Sequence, residues 1–377
     1  MNTETYETIV IGGGQAGLSV GYHLAKRNGQ FVVLDENERV GDAWRKRWDS
    51  LRLFTPARFN GLPGMPFEAP RWSFPTKDEM ADYLEAYAER FALPVRTGVR
   101  VERVVQEECR FVVSLGDRRL EAQNVVVATG AHRVPKLPES AGQLDPRIVQ
   151  LHSAAYRNPS QLQDGPVLVV GVGNSGAEIA YELAETHRCL LAGANRGEIP
   201  VQHGSRRSRV MFRAIRFIGH HVLRTDTRIG RKVGQKIAAK GPPLIRRKEA
   251  DFAAVGIERI GRVAGVQDGL PVLDDGRLVE VANVVWCTGF RTDFSWIELP
   301  AFDGDGRPLH ERGVVDSVPG LYFAGLIFQY SLTSDVLPNG GRDAEYVARN
   351  IAARQAKEPA RSAVRADVAT GGAAAAR

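Results

Sequence analysis

Two glycine-rich hexapeptides carry the most readily legible chemistry in this 377-residue chain: Gly12-Gly13-Gly14-Gln15-Ala16-Gly17 and Gly171-Val172-Gly173-Asn174-Ser175-Gly176. Each has glycine at its first, third and sixth positions. Between a buried strand and a helix, the first glycine permits a tight turn. The second lets the backbone approach a pyrophosphate, and the third lets helix and strand pack closely. The pyrophosphate then rests on the helix N-terminus, where free N–H groups and the dipole favour an anion. A lone match is weak in a chain with 39 glycines, so the flanking residues decide the matter.

Those flanks distinguish the two copies. Asp35 follows the first set of glycines at the end of the next apolar run, where a carboxylate can accept hydrogen bonds from both ribose hydroxyls of an adenine nucleotide. The competing reading is a surface carboxylate, and the ribose role is favoured. At the same offset from Gly171 stands Ala194, followed by Asn195 and Arg196. No acid is there to repel a 2′-phosphate, and a guanidinium able to pair with one is present, which favours NADPH over NADH. Arg196 reads equally as a solvated surface arginine.

The elements that must position these residues follow from the hydrophobic pattern. Thr8-Ile9-Val10-Ile11 reads as a strand, Leu18, Val20, Leu24 and Ala25 follow at helical spacing, and Asn28-Gly29 closes that helix. Phe31-Val32-Val33-Leu34 is a second buried strand, giving a βαβ start with parallel strands. The arrangement returns in the middle of the chain: Val167 to Val170, a helix through Ile179, Ala180, Leu183 and Ala184, then Leu190-Leu191-Ala192. Between the two, residues 78–91 form an amphipathic helix with Met80, Tyr83, Leu84 and Tyr87 on one face. Residues 99–105 and 111–115 alternate like antiparallel strands.

Composition bounds the rest. With 43% hydrophobic and 25% charged residues, the chain is an ordinary globular protein long enough for two or three domains. No apolar run approaches the ~20 residues of a spanning helix, and the N-terminus lacks the pattern of a signal peptide, so a cytoplasmic location is expected. Cys109, Cys189 and Cys287 form no CxxC or Cys/His cluster, which argues against disulfides, a metal site or a dithiol redox centre. All three read as small buried hydrophobes. The net charge of +6 is concentrated: between Gly204 and Lys248 fall fourteen of the 50 basic residues and one acid, Asp226. A basic pI arising from one segment does not indicate a nucleic-acid partner.

Within that segment, Met211, Ile215, Ile218 and Val222 share one helical face. Three readings stand: a helical excursion packed on the second nucleotide-binding unit with a solvated charged face, weak contact with a membrane surface, or a site for an acidic substrate or partner. His152 reads as a hydrogen-bonded structural residue. Trp48, Trp72 and Phe54 read as either core or cofactor-stacking residues.

Taken together, six stretches make the chain resemble the class B flavin-containing monooxygenases, especially small bacterial members and the plant indole-3-pyruvate monooxygenases. They are Ile11 to Leu18, GDAWRKRWDSLRLFTP at Gly41 to Pro56, VVVATG at Val125 to Gly130, VGVGNSGAEIA at Val170 to Ala180, CTGF at Cys287 to Phe290, and GLYFAG at Gly320 to Gly325. The family's FxGxxxHxxx(Y/W) signature survives only as His152 and Tyr156, with Pro146 and Ile148 at its Phe and Gly positions. The asparagine of the animal-type enzymes falls near Phe54.

The resemblance implies an α/β fold of two Rossmann-like, glutathione-reductase-type domains, the NADPH domain inserted into a discontinuous FAD domain. The expected boundaries are 1–157 and 288–359 for FAD, 158–287 for NADPH with the basic helical insert at about 204–248, and a disordered tail at 360–377. FAD would be held by Gly12, Gly14, Gln15, Ala16, Gly17, Asp35, Glu36, Trp44, Val101, Thr129, Gly130 and Gly325. NADPH would be held by Gly171, Gly173, Asn174, Ser175, Gly176 and Arg196. Hydride would pass to the flavin, O2 would add to give a C4a-(hydro)peroxyflavin, and a small organic substrate would be oxygenated. That chemistry needs no protein nucleophile or acid–base pair, so no catalytic side chain is named. The alternatives are a flavin oxidoreductase that takes electrons from NAD(P)H and passes them to a quinone or protein acceptor, and a non-catalytic nucleotide sensor.

Overall fold

The computed structural model describes residues 4–130, 134–337 and 340–371, with side chains described up to 357 except those of 237–240. The chain opens with β1 (Glu4–Ile11), α1 (Gln15–Ala25), β2 (Phe31–Leu34), α2 (Asp42–Arg45), α3 (Lys77–Arg90), β3 (Val95–Arg96), β4 (Arg103–Glu107), β5 (Arg110–Leu115) and β6 (Arg118–Val127). There follow β7 (Val134–Pro135), β8 (Val149–His152), β9 (Val167–Val170), α4 (Asn174–Leu183), β10 (Cys189–Ala192), α5 (Arg206–His221), α6 (Arg228–Lys240) and α7 (Glu249–Ala254). Then come β11 (Glu258–Ile260), β12 (Val263–Gln267), β13 (Leu270–Leu273), β14 (Asn283–Trp286), β15 (Phe290–Arg291), β16 (Leu321–Phe323) and α8 (Gly340–Gly371).

Two sheets organise these elements. The first has the order β3-β2-β1-β6-β5-β4, with β16 also pairing β6. The glycine-rich turn after β1 therefore sits between two parallel neighbours, β2 and β6. The second sheet is parallel throughout, in the order β11-β10-β9-β14-β8, and its glycine-rich turn follows the central strand β9. Continuous apolar runs such as Phe31 to Leu34 and Val167 to Val170 suit strands covered on both faces. Alternate residues divide accordingly: Val10, Val33 and Val126 enter a core with α1, α3 and α8, while Ile9, Ile11, Val32, Val125 and Val127 enter the opposite one. In the second sheet Val167, Val169 and Val285 face α4, and Leu168, Val284 and Trp286 face the β12–β13 hairpin.

The helix expected at 78–91 is α3. Thr76 caps it, accepting from the Glu79 N–H at 3.1 Å while Glu79 accepts from the Thr76 N–H at 2.7 Å, a reciprocal pair worth ~1 kcal/mol. Met80, Tyr83, Leu84 and Tyr87 form its buried face as expected. The two crossings between the sheets lie side by side, because β7 and β15 pair antiparallel through Val134–Arg291 and Pro135–Phe290.

Four expectations are corrected. Residues 149–152, expected in the first FAD segment, are β8, paired with β14 in the second sheet; the chain changes sheet at β7 and not at residue 157. Residues 360–371, expected as a disordered tail, continue α8 in their backbone, and 372–377 lie outside the described residues. Cys109 is exposed, because it sits in the turn between β4 and β5, whereas Cys189 and Cys287 are buried. In the basic insert, Phe212 and Gly219 form the buried face, while Ile215, Ile218 and Val222 are exposed. Gly219 on that face lies against Leu332 and Thr333, and Arg209 and Arg216 beside it stack on Trp72 and Phe59, all from the first unit, so the insert bridges to it and does not pack on the second alone.

Candidate functional site

The two glycine turns are built alike. Gly12 has φ +111°, and a Cβ there would stand 2.5 Å from the Ala128 carbonyl oxygen at the end of β6. Gly171 has φ +115°, and its Cβ would stand 2.3 Å from the Cys287 carbonyl oxygen at the end of β14. At the sixth position, a Cβ on Gly17 would reach 1.8 Å from the Gly12 carbonyl oxygen, and one on Gly176 would reach 1.9 Å from that of Gly171. The first and last glycines are therefore demanded by the protein's own packing. The middle ones are not: nothing lies within 4 Å of a Cβ on Gly14 or Gly173. Those positions are the N-caps of α1 and α4, and neither helix has a side-chain cap or an acid in its first turn. Orphan helix N–H groups beside open space suit a pyrophosphate, so the residues present fit a dinucleotide at each turn.

Around the first turn, Asp35 is buried and already engaged. Its Oδ2 accepts from the Gly13 N–H at 2.7 Å and its Oδ1 from the Asn37 N–H and side-chain amide at 2.8 Å. Oδ2 keeps a lone pair for a ribose hydroxyl, whereas both of those on Oδ1 are taken by Asn37, and the contact to Gly13 fixes the carboxylate beside the turn. Glu36 is exposed at the end of the same strand. Gln15 and Ala16 open α1, and Gly325, with φ +81°, brings the end of β16 so near that a Cβ on it would lie 2.7 Å from that of Ala16. Trp44, in α2, packs half-buried on the same core as Ala16. Thr129 and Gly130 follow β6 and are only partly buried. Val101 buries its side chain in the opposite core, leaving only its main chain for a ligand.

Around the second turn, Asn174 is a structural clamp. Its side chain donates to Pro243 O at 3.3 Å and accepts from the Ile245 N–H at 2.9 Å, so its main-chain N–H is what remains for a phosphate. Ser175 is half-buried beside it, and Arg196 is exposed after β10, lying over Gly241. Arg246 and Arg247, two of many basic residues in the insert and not marked out by any motif, place their guanidinium groups 3.3 Å and 3.9 Å from the Glu178 carboxylate on α4. Burial nevertheless holds the Glu178 carboxyl above its usual range.

A third turn, Thr288-Gly289, follows β14. His152, at the end of β8, accepts from the Ala154 N–H at its Nδ1 (3.1 Å), which leaves Nε2 to donate to Gly289 O at 3.0 Å. Burial pushes its pKa down. The Lys136 N–H also donates to Gly289 O, at 3.0 Å, and the Thr288 hydroxyl donates to Lys136 O. His152 is thus a structural clamp on the Thr-Gly turn that links the sheets, as expected of it. Tyr156 is fully buried and donates to Glu182 at 2.6 Å. Trp48 joins the core of the second sheet, although it comes from the first unit, and Phe54 accepts from His203 Nε2 at 2.9 Å through its carbonyl. Also missed was Gln329. Fully buried, it donates to Phe323 O and Arg312 O at 3.0 and 3.1 Å and shapes the loop after Gly325; a lone glutamine in GLIFQYS carries no such signal. Burial pushes the Cys189 thiol up to about 12 and raises that of Cys287, so both are inert at neutral pH.

Known proteins share this arrangement. The model of the pyridine nucleotide-disulphide oxidoreductase family matches residues 9–197. The chain is 38% identical to an uncharacterized CzcO-like oxidoreductase of Geobacillus kaustophilus, covering 92% of this chain and 98% of that one. It is 27% identical to the probable indole-3-pyruvate monooxygenase YUCCA3 of Arabidopsis thaliana, covering 93% and 87%. A solved flavin-containing monooxygenase from Stenotrophomonas maltophilia superimposes with a TM-score of 0.75 at 27% identity, covering 93% of this chain and 99% of that one.

Proposed function

The chain belongs to the pyridine nucleotide-disulphide oxidoreductase family and, within it, to the class B flavin-containing monooxygenases, and from that premise we propose that it takes electrons from NADPH and oxygenates a small, fairly apolar organic substrate. It is a flavin-dependent monooxygenase that uses FAD and NADPH. The single observation that carries the reading is the duplicated turn, in which packing demands the outer glycines while the middle one faces open space beside an uncapped helix.

In this reading α1 holds the FAD pyrophosphate, with Asp35 on the ribose and Gly325 fixing the helix start. The N-terminus of α4 holds the NADPH pyrophosphate, and Arg196 pairs with the 2′-phosphate. FAD, when bound, accepts hydride from the dihydronicotinamide and activates O2. The protein's part is to align the two cofactors and exclude water. The clamp of His152, Thr288 and Lys136 on the turn at Gly289 supports that role, since it ties the ends of β8 and β14 in the second sheet to the crossing at β7. With Cys189 and Cys287 buried and protonated, electrons have no thiol route through either.

The test is isotopic. The purified enzyme, supplied with NADPH and 18O2, is offered a panel of apolar sulfides, ketones and 2-oxo acids. One labelled oxygen in a product supports the proposal. Stoichiometric hydrogen peroxide without labelled product, together with rapid reduction of an added quinone, overturns it.

A further inference from the structure

Helix α5 presents apolar side chains to both sides. Its buried face is set by Ser208, Phe212 and Gly219, and it is closely seated, since a Cβ on Gly219 would stand 2.8 Å from Thr333 Cγ2. At 3.6 residues per turn, Val210 and Phe217 project within about 20° of the opposite direction. They are 65% and 64% exposed, and Ile229 on the neighbouring α6 is 60% exposed. A helix that packs on a core and faces water carries polar residues on its outer side. Here the outer side is a short apolar stripe.

Exposed cations stand along the same segment. Arg206, Arg207 and Arg213 on α5 and Arg228, Arg231 and Lys232 on α6 are all exposed. The one acid of the segment, Asp226, is taken by Arg224 at 2.9 Å, and among the described residues no carboxylate lies within ion-pair distance of those six. One flank of α5 is held by stacking, in which the exposed Arg213 also takes part: the guanidinium groups of Arg209 and Arg213 lie 5.2 and 5.4 Å from the Trp72 ring centre, and that of Arg216 lies 5.3 Å from that of Phe59. The fold thus fixes the stripe outward without neutralising the charge of the segment.

We propose that α5 and α6 form a docking face for an anionic lipid bilayer, with Val210, Phe217 and Ile229 entering the boundary between headgroups and acyl chains and the exposed cations of the segment meeting lipid phosphates. Charge complementarity selects this occupant. A nucleic acid would satisfy the cations but leave the apolar stripe in contact with phosphates, and a second copy of this chain would bring like charges together. The contact is peripheral, since no helix among the described residues is long and apolar enough to cross a membrane. Each cation near an anionic surface contributes about fivefold to the partition coefficient at low salt, which falls as screening rises.

The experiment uses the full-length holoenzyme and sedimentation with large unilamellar vesicles. Vesicles of phosphatidylcholine and phosphatidylglycerol mixed two to one are expected to carry down the enzyme, while pure phosphatidylcholine vesicles leave it in solution, and molar salt reverses the binding. The double variant Val210→Ser, Phe217→Ser is expected to lower the partition coefficient at least fivefold with FAD content and NADPH oxidation unchanged. Phe217→Trp is expected to shift its emission to the blue on anionic vesicles only. The proposal is overturned by equal binding to both vesicle types, by full binding of the double variant, or by a concentration-dependent dimer that the double variant abolishes.

Discussion

Gly325 stands against Ala16, joining the end of β16 to the first turn of α1 from the opposite end of the chain. A Cβ at 325 would lie 2.7 Å from the Ala16 Cβ, and the backbone there has φ +81°. The last strand of the first sheet thus sets the position of the helix start at the first glycine-rich turn. Gly325→Ala combines left-handed strain with a clash, together about 2–3 kcal/mol. It should weaken FAD retention at least tenfold, read by the flavin-to-protein absorbance ratio after gel filtration.

The glycines within each turn should separate folding from binding. A methyl on Gly17 meets the Gly12 carbonyl oxygen at 1.8 Å, so Gly17→Ala should destabilise the protein by about 3 kcal/mol in denaturant unfolding. A methyl on Gly14 meets no protein atom, and Gly14→Ala should change apoprotein stability by less than about 1 kcal/mol while abolishing FAD retention. Gly173→Ala should keep FAD and raise the KM for NADPH.

Arg196 is exposed at the end of β10, where no acid stands. Removing a charge-assisted contact to a phosphate costs roughly 1.5–3 kcal/mol. Arg196→Ala should therefore raise the KM for NADPH about 10- to 100-fold and leave that for NADH unchanged. Equal effects on both would remove the 2′-phosphate role.

Much of this was legible in the sequence because it is local. A strand, three spaced glycines and a helix impose their geometry within a few residues, and both copies adopt it. What was not legible depends on distant partners. β8 reads VQLH and gives no sign of which sheet it joins; its register with β14 decides that. The side chain of Asn174 is drawn away by Pro243 and Ile245, which lie 69 and 71 residues further along the chain, near the end of the basic insert. The apolar face of α5 read from spacing is not the face that packs: Phe212 and Gly219 are buried instead, and Gly219 meets Leu332 and Thr333, distant residues that periodicity cannot see.

Several histidines are kept neutral by the fold, and that predicts acid sensitivity. Burial, reinforced by Arg342, holds His220 down to about 4, against ~6.5 in an unfolded chain, and burial also lowers His152 and His203. The unfolded state then binds more protons below pH 6.5. The stability these groups contribute is complete above that value and is lost as pH falls towards 4. Thermal unfolding from pH 7.5 to 4.5 should show Tm falling below pH 6.5, with a shallower fall for His220→Gln.

The most direct test of the central claim is stopped-flow absorbance of the holoenzyme, reduced anaerobically with NADPH and then mixed with O2 with and without an apolar substrate. The account predicts rapid bleaching of the flavin by NADPH, slower bleaching by NADH, and a near-ultraviolet-absorbing species that precedes the return of oxidised flavin and decays faster when substrate is present. Immediate reoxidation with stoichiometric hydrogen peroxide, unchanged by any substrate, would contradict it.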